Sequence, residues 1–173
     1  MPAMDLFLLA LLSVLPGLVI AAALSDLTTM RIPNWLSGSL ILGFFPAALA
    51  VGVPLDVVAV HGAVAFAALL IGMALFAVRV IGGGDAKLIA AACLWLGPSA
   101  SFEFVLWTAV FGGLLSLVLI VARRDVGPYL VGGPVWVHTL MEAKGDIPYG
   151  IAIAVGALMA FPSSALLAAF AAG

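Results

Sequence analysis

Two acidic residues, Asp26 and Asp85, stand where a long apolar segment meets a short glycine, proline or basic stretch, in a chain whose 173 residues are only 8% charged. A carboxylate at the edge of hydrocarbon costs roughly 2–4 kcal/mol unless something offsets it, so intramembrane acids are candidates for function. Two carboxylates held close cannot both ionise comfortably. One keeps a proton while the other serves as a base, the arrangement that activates water against an amide. The ionised member takes a proton from water, the protonated member hydrogen-bonds the scissile carbonyl, and the roles reverse as the tetrahedral intermediate collapses. The titration belongs to the pair. Such chemistry calls for no metal and no cofactor.

The elements that must position this pair follow from composition. Hydrophobic residues make up 66% of the chain and the mean hydropathy is +1.36, far from the roughly 25% charged composition of soluble domains. An all-α integral membrane protein is expected, a single domain over residues 1–173 with no internal repeat and no appended soluble domain. A net charge of −2 offers no basic face on which nucleic acid could be held. Cys93 is the one cysteine, which rules out an internal disulfide and a multi-cysteine zinc site.

Charge-free runs measured against the roughly 20 residues of a membrane-crossing helix predict about six spans. They cover Leu6–Leu24, Trp35–Leu55, Val57–Val78, a short fourth at Ala86–Ser99 that ends on Gly97-Pro98, Phe104–Ala122 and Ile147–Ala169. The first reads as a retained span, since Asp5 and no basic residue precedes it. With six crossings, Arg31, Arg79, Lys87, Arg123, Arg124 and Lys144 share one side, while Asp5, Asp56 and Glu103 occupy the other. The basic side is expected to be cytoplasmic and the N-terminus outside. Trp95 and Trp107 are then expected near the outer interface and Trp35 near the inner one, with Asp125 to Lys144 a cytoplasmic loop that carries Trp136.

Asp26 and Asp85, 59 positions apart, both fall at the cytoplasmic side of this topology. Gly82-Gly83-Gly84 removes three side chains just before Asp85, so a substrate strand could approach the backbone closely. The plainer reading of Asp85 is a cap on the helix that follows, and that of Asp26 is a residue facing headgroup water.

The run Ser25-Asp26-Leu27-Thr28-Thr29-Met30-Arg31-Ile32-Pro33-Asn34, the later Gly82-Gly83-Gly84-Asp85-Ala86-Lys87 and the Ile147-Pro148-Tyr149-Gly150 entry to the last span together resemble the prepilin peptidases. These are the GxGD-type intramembrane aspartic proteases, and the resemblance covers nearly the whole chain. It implies that Asp26 and Asp85 are the catalytic pair and Gly82 and Gly84 the motif glycines. Arg31, Pro33, Asn34, Lys87, Pro148, Tyr149 and Gly150 match as substrate-binding or supporting neighbours. The implied substrate is a type IV or Flp prepilin, or a pseudopilin, with a short basic leader and an apolar helix, cut at the cytoplasmic face of the inner membrane within the lipid bilayer. Only a short run separates the first two spans here, so the extended cytoplasmic domain and the methyltransferase activity of the bifunctional members are not implied. The compact form is similar to the dedicated peptidases of tight-adherence pili.

Other features carry less. Ala63 with Ala67, Gly112 with Gly113 and Gly150 with Gly156 suit helix packing, either internal or against a substrate. Pro16, Pro46 and Pro162 suit kinks. His61 lacks a partner at ligand spacing, His138 with Glu142 makes at most two metal ligands, and Cys93 suits packing. A small proton or cation transporter is the main rival, but it would need polar groups continuing across the bilayer. A non-enzymatic scaffold of a secretion or pilus assembly is the other.

Overall fold

The computed structural model describes residues 3–129, 131–143 and 145–172 and is helical throughout, with no strand among the described residues. Lys144, counted above on the basic side, lies outside them. Helices α1 (Ala3–Leu12) and α2 (Val14–Thr29) run on through Ser13 as one apolar stretch. There the Ser13 hydroxyl turns back to donate to the Ala10 carbonyl at 2.7 Å. Helix α2 ends where Met30 takes a left-handed conformation (φ 52°) and its N–H reaches the Asp26 carbonyl. Pro33 then sets the extended entry to α3 (Asn34–Val51), and Gly52 at φ 80° closes it. Pro54 opens α4 (Leu55–Ala77), so Leu55 begins this helix and does not end the one before, as the sequence had suggested.

The next helix, α5 (Gly83–Asp125), is 43 residues long but leaves helical geometry at Gly97 (φ 65°, ψ −172°), just before Pro98. The expected fourth and fifth spans are its two arms. They double back on each other, because Asp85 in the first arm and Gly112 in the second border the same space beside Tyr149. Leu94 and Gly97, by contrast, lie at the opposite end against His61. A short helix, α6 (Val135–Met141), follows a single 3-10 turn in the loop. Helix α7 (Gly150–Ala160) then runs antiparallel to the second arm: Tyr149 meets Gly112, Gly156 meets Thr108, and the Ser99 hydroxyl reaches the Ser163 carbonyl. The predicted last span is not one straight helix. A 3-10 turn at Phe161–Ser163, around Pro162, ends its first part, and at Ser164 the chain bends by 41° into α8 (Ala165–Ala172).

Among the described residues four helices are long and apolar enough to cross a membrane, or five with the bent pair taken as one span. Large side chains such as Leu42, Leu49, Phe66 and Leu117 point outward, as a lipid-facing surface requires. The core between the helices holds Leu15, Val19, Leu40, Phe44, Leu88 and Phe104. It also holds Trp95, which corrects the interfacial placement: its ring is fully buried, and its indole N–H donates to the Leu40 carbonyl at 2.8 Å. Buried in hydrocarbon-like surroundings, that N–H needs an acceptor, and α3 supplies one.

Candidate active site

Asp26 lies on the last turns of α2 with only 7% of its surface exposed, so it does not simply face headgroup water. Its Oδ2 accepts the Gly150 N–H at 2.7 Å, the first residue of α7, where helix amides lack intrahelical acceptors. A side chain at 150 has no room, since its Cβ would stand 2.9 Å from both the Cβ and the Oδ2 of Asp26. Pro148, two residues ahead, is buried and its carbonyl accepts from the Ile151 N–H, fixing the entry of α7 onto Asp26.

Asp85 sits in the first turn of α5, three residues after the helix-capping position held by Gly82. Its Oδ2 accepts the Gly82 N–H at 3.1 Å, which is one half of a capping box. Asp85 is therefore not the N-cap that the plainer reading expected, since Gly82 holds that position; it caps from the third helical position, and this contact occupies one oxygen of the carboxylate. A Cβ on Gly82 would stand 2.8 Å from that same oxygen. Both acids thus have one oxygen fixed by an amide at a helix N-terminus. Among the described residues neither Oδ1 has a hydrogen-bond partner.

The two carboxylates border the same two cavities, one of 360 Å³ and one of 500 Å³. Asp26, Met30, Gly82 and Asp85 line both, so the cavities form one cleft with the acids at its middle. The larger is walled by the Arg31-Ile32-Pro33-Asn34 run and by Gly83 and Gly84. Here the first and second sequence motifs touch. The Lys87 ammonium donates to Asn34 Oδ1 at 2.9 Å, and Gly84 packs on Ile32 so closely that a Cβ would come within 3.0 Å of the Ile32 Cβ. The Arg31 carbonyl accepts from the Ser25 hydroxyl at 2.9 Å, which holds the connector against the end of α2. Tyr149 reaches across to Ser116, hydroxyl to hydroxyl at 3.3 Å.

The smaller cavity is bordered by Ile147 of the third motif and by residues that sequence reasoning missed: Phe76, Arg79, Ile81 and Asp146. Arg79 was legible only as a topological charge, although it stands three residues before Gly82. Backbone strain would have been a better signal. Met30 and Arg79 are the only non-glycine residues with positive φ among those described, and both line this cavity; such conformations concentrate at functional sites. Neither Arg31 nor Arg79 pairs with either aspartate, the one ion pair among the described residues being Arg124–Asp125. Each acid keeps one oxygen on an amide and borders an open cleft, an arrangement chemically able to give and take a proton.

The type IV leader peptidase family matches this chain over residues 13–117, more than half of it. The chain belongs to that family. It is therefore a peptidase of the leader-cutting kind, and its apolar helices make it a membrane protein. The resemblance read from the two aspartate motifs is borne out at the level of the family. The matched stretch takes in Asp26, Arg31, Pro33, Asn34, Gly82, Gly84, Asp85 and Lys87 but stops before Pro148-Tyr149-Gly150, the turn that folds back onto Asp26. No curated protein and no solved structure matches the chain.

Proposed function

We propose that this leader peptidase is an aspartic endopeptidase in which Asp26 and Asp85 are the catalytic pair. The observation that carries the reading is the shared cleft: both carboxylates border it from helix ends that are 59 positions apart in sequence. The pair shares a proton. Its ionised member draws a proton from a water that attacks the scissile carbonyl carbon, and its protonated member hydrogen-bonds the carbonyl oxygen. Collapse of the intermediate breaks the C–N bond, with the proton passing to the leaving nitrogen.

The substrate is the short leader of a type IV or Flp prepilin, or of a pseudopilin, and the compact chain acts as one peptidase domain without N-methylation. It spans the inner membrane with its N-terminus outside and its aspartates toward the cytoplasm. The distribution of arginine and lysine supports that orientation. The first arm of α5 supports an intramembrane site, since 14 residues rise only about 21 Å against a hydrocarbon thickness of about 30 Å.

The test is leader cleavage of a co-expressed or purified prepilin by wild type, Asp26→Asn and Asp85→Asn, each confirmed folded and inserted. Both variants are expected to lose the defined cut. Undiminished cutting by either one would refute the pair.

A further inference from the structure

We infer that the apolar groove between the end of α4 and the second arm of α5 seats the membrane-embedded helix of the substrate, with the bond to be cut at the groove's Asp85 end. The inference rests on the aspartic-peptidase reading above and adds where the apolar part of the substrate lies.

The groove holds 450 Å³ and is walled by apolar side chains, among them Leu75, Ile89 and Val105, with Asp85 the one charged residue among the described residues that line it. Ile81, Asp85 and Tyr149 border both this groove and the 360 Å³ cavity. Groove and cavity therefore adjoin at these three residues, and the character of the lining changes there, at Asp85. Among the described residues the cavity is lined by three acids, Asp26, Asp85 and Asp146, and by one cation, Arg79. A polypeptide that is cationic before the cut and apolar after it complements both parts. The reverse placement would put charge against an apolar wall and an apolar segment among carboxylates, each at a desolvation cost. Hydrolysis leaves the new carboxylate on the polar segment and the new amine, protonated, on the apolar helix beside Asp26 and Asp85, where its charge is matched.

The wall itself has room for a helix. Gly112, Gly150 and Gly156 are used within the protein, each facing a neighbour too near for a side chain to be added freely. Gly113 differs: it lines the groove, and a Cβ there would meet nothing within 4 Å. Small residues on such a wall let another helix approach closely in lipid, where packing rather than water exclusion drives association. A second groove of 480 Å³, between α3, α4 and the first arm of α5, is mostly apolar and reaches neither aspartate, although Asn34 and Lys87 are among its lining. Gly62 on its wall is equally open, which provides a matched control.

The experiment compares Gly113→Leu with Gly62→Leu in reconstituted vesicles, using a prepilin substrate and a version with its apolar segment shortened from the far end. Filling the Asp85 groove is expected to raise KM about tenfold with the full substrate, while Gly62→Leu stays within about twofold of wild type. Shortening the apolar segment should weaken cleavage by wild type and weaken Gly113→Leu no further. Ala109→Leu, on the same wall, repeats the comparison if Gly113→Leu fails to insert. Wild-type cleavage by both groove variants, or impairment by Gly62→Leu alone, would overturn the assignment of the groove while leaving the aspartate pair intact. Continued cutting by Asp26→Asn or Asp85→Asn would instead remove the reading on which the groove depends, and the inference falls with it.

Discussion

Gly150 donates its amide to Asp26 Oδ2 at 2.7 Å across 124 positions of sequence, at a contact with no space for a methyl group. Gly150→Ala forces the carboxylate off its amide or pushes α7 away. A misplacement of about 1 Å costs on the order of a hundredfold in rate, whereas overpacking costs about 1–3 kcal/mol in stability. The expected outcome is a folded protein with a leader-cleavage rate down by about two orders of magnitude. Parallel measurement of cleavage and thermal unfolding in detergent checks it, and near-normal cleavage would show that this amide does not hold Asp26 in place.

The reversal of α5 depends on Gly97. Its φ of 65° with ψ of −172° belongs to a region essentially restricted to glycine, worth roughly 1–3 kcal/mol to any other residue. A Cβ there would also collide with the ring of His61. That ring is fully buried, stacked on Phe44 and bonded through Nδ1 to the Leu94 carbonyl at 2.8 Å, so Nδ1 must carry the hydrogen. Gly97→Ala should lower stability by about 3 kcal/mol or more. Adding His61→Ala should recover only the steric part, leaving the backbone penalty, as a double-mutant cycle of unfolding free energies would show.

The two aspartates were legible because a charge in a chain this apolar needs a reason, and the Gly97-Pro98 break because no straight helix carries that pair without cost. The end of α3 was misread by three or four residues because Gly52 and Pro54 act as stop and start within a run of uniform hydropathy. Trp95 was misplaced for a deeper reason. Where lipid-facing and core-facing surfaces are both apolar, helical periodicity no longer tells inside from outside, and only contacts such as the Leu40 carbonyl decide. Met30, Arg79 and Asp146 escaped because the cleft they border is assembled from chain ends that meet only in three dimensions.

Lys87 and Asn34 join the two aspartate motifs through one exposed hydrogen bond. Exposed pairs of this kind contribute about 0.2–1 kcal/mol, so Lys87→Met should leave unfolding nearly unchanged. Its effect should fall on the alignment of Gly82–Asp85 against the Arg31–Asn34 wall, with a several-fold drop in cleavage that Asn34→Ala reproduces and the double variant does not deepen. Additive losses would show that the two residues act separately.

Arg123, outside the cleft, joins three parts of the chain. Its guanidinium donates to three carbonyls, those of Leu140, Gly145 and Asp146, at 2.8, 2.7 and 2.7 Å. These bonds tie the end of α6 and the chain leading to Pro148 onto the second arm of α5, and so set where Gly150 meets Asp26. Bonds from a charged donor are worth about 1.5–3 kcal/mol each when partly buried, and they are not additive. Arg123→Met should therefore destabilise by roughly 2–4 kcal/mol and reduce cleavage in step with Gly150→Ala. Arg123→Lys keeps the charge but lacks the planar fork that addresses three acceptors at once, so it should recover little of either loss. Full recovery by lysine, read from the same cleavage and unfolding assays, would mean that the charge near the loop matters and the three-carbonyl geometry does not.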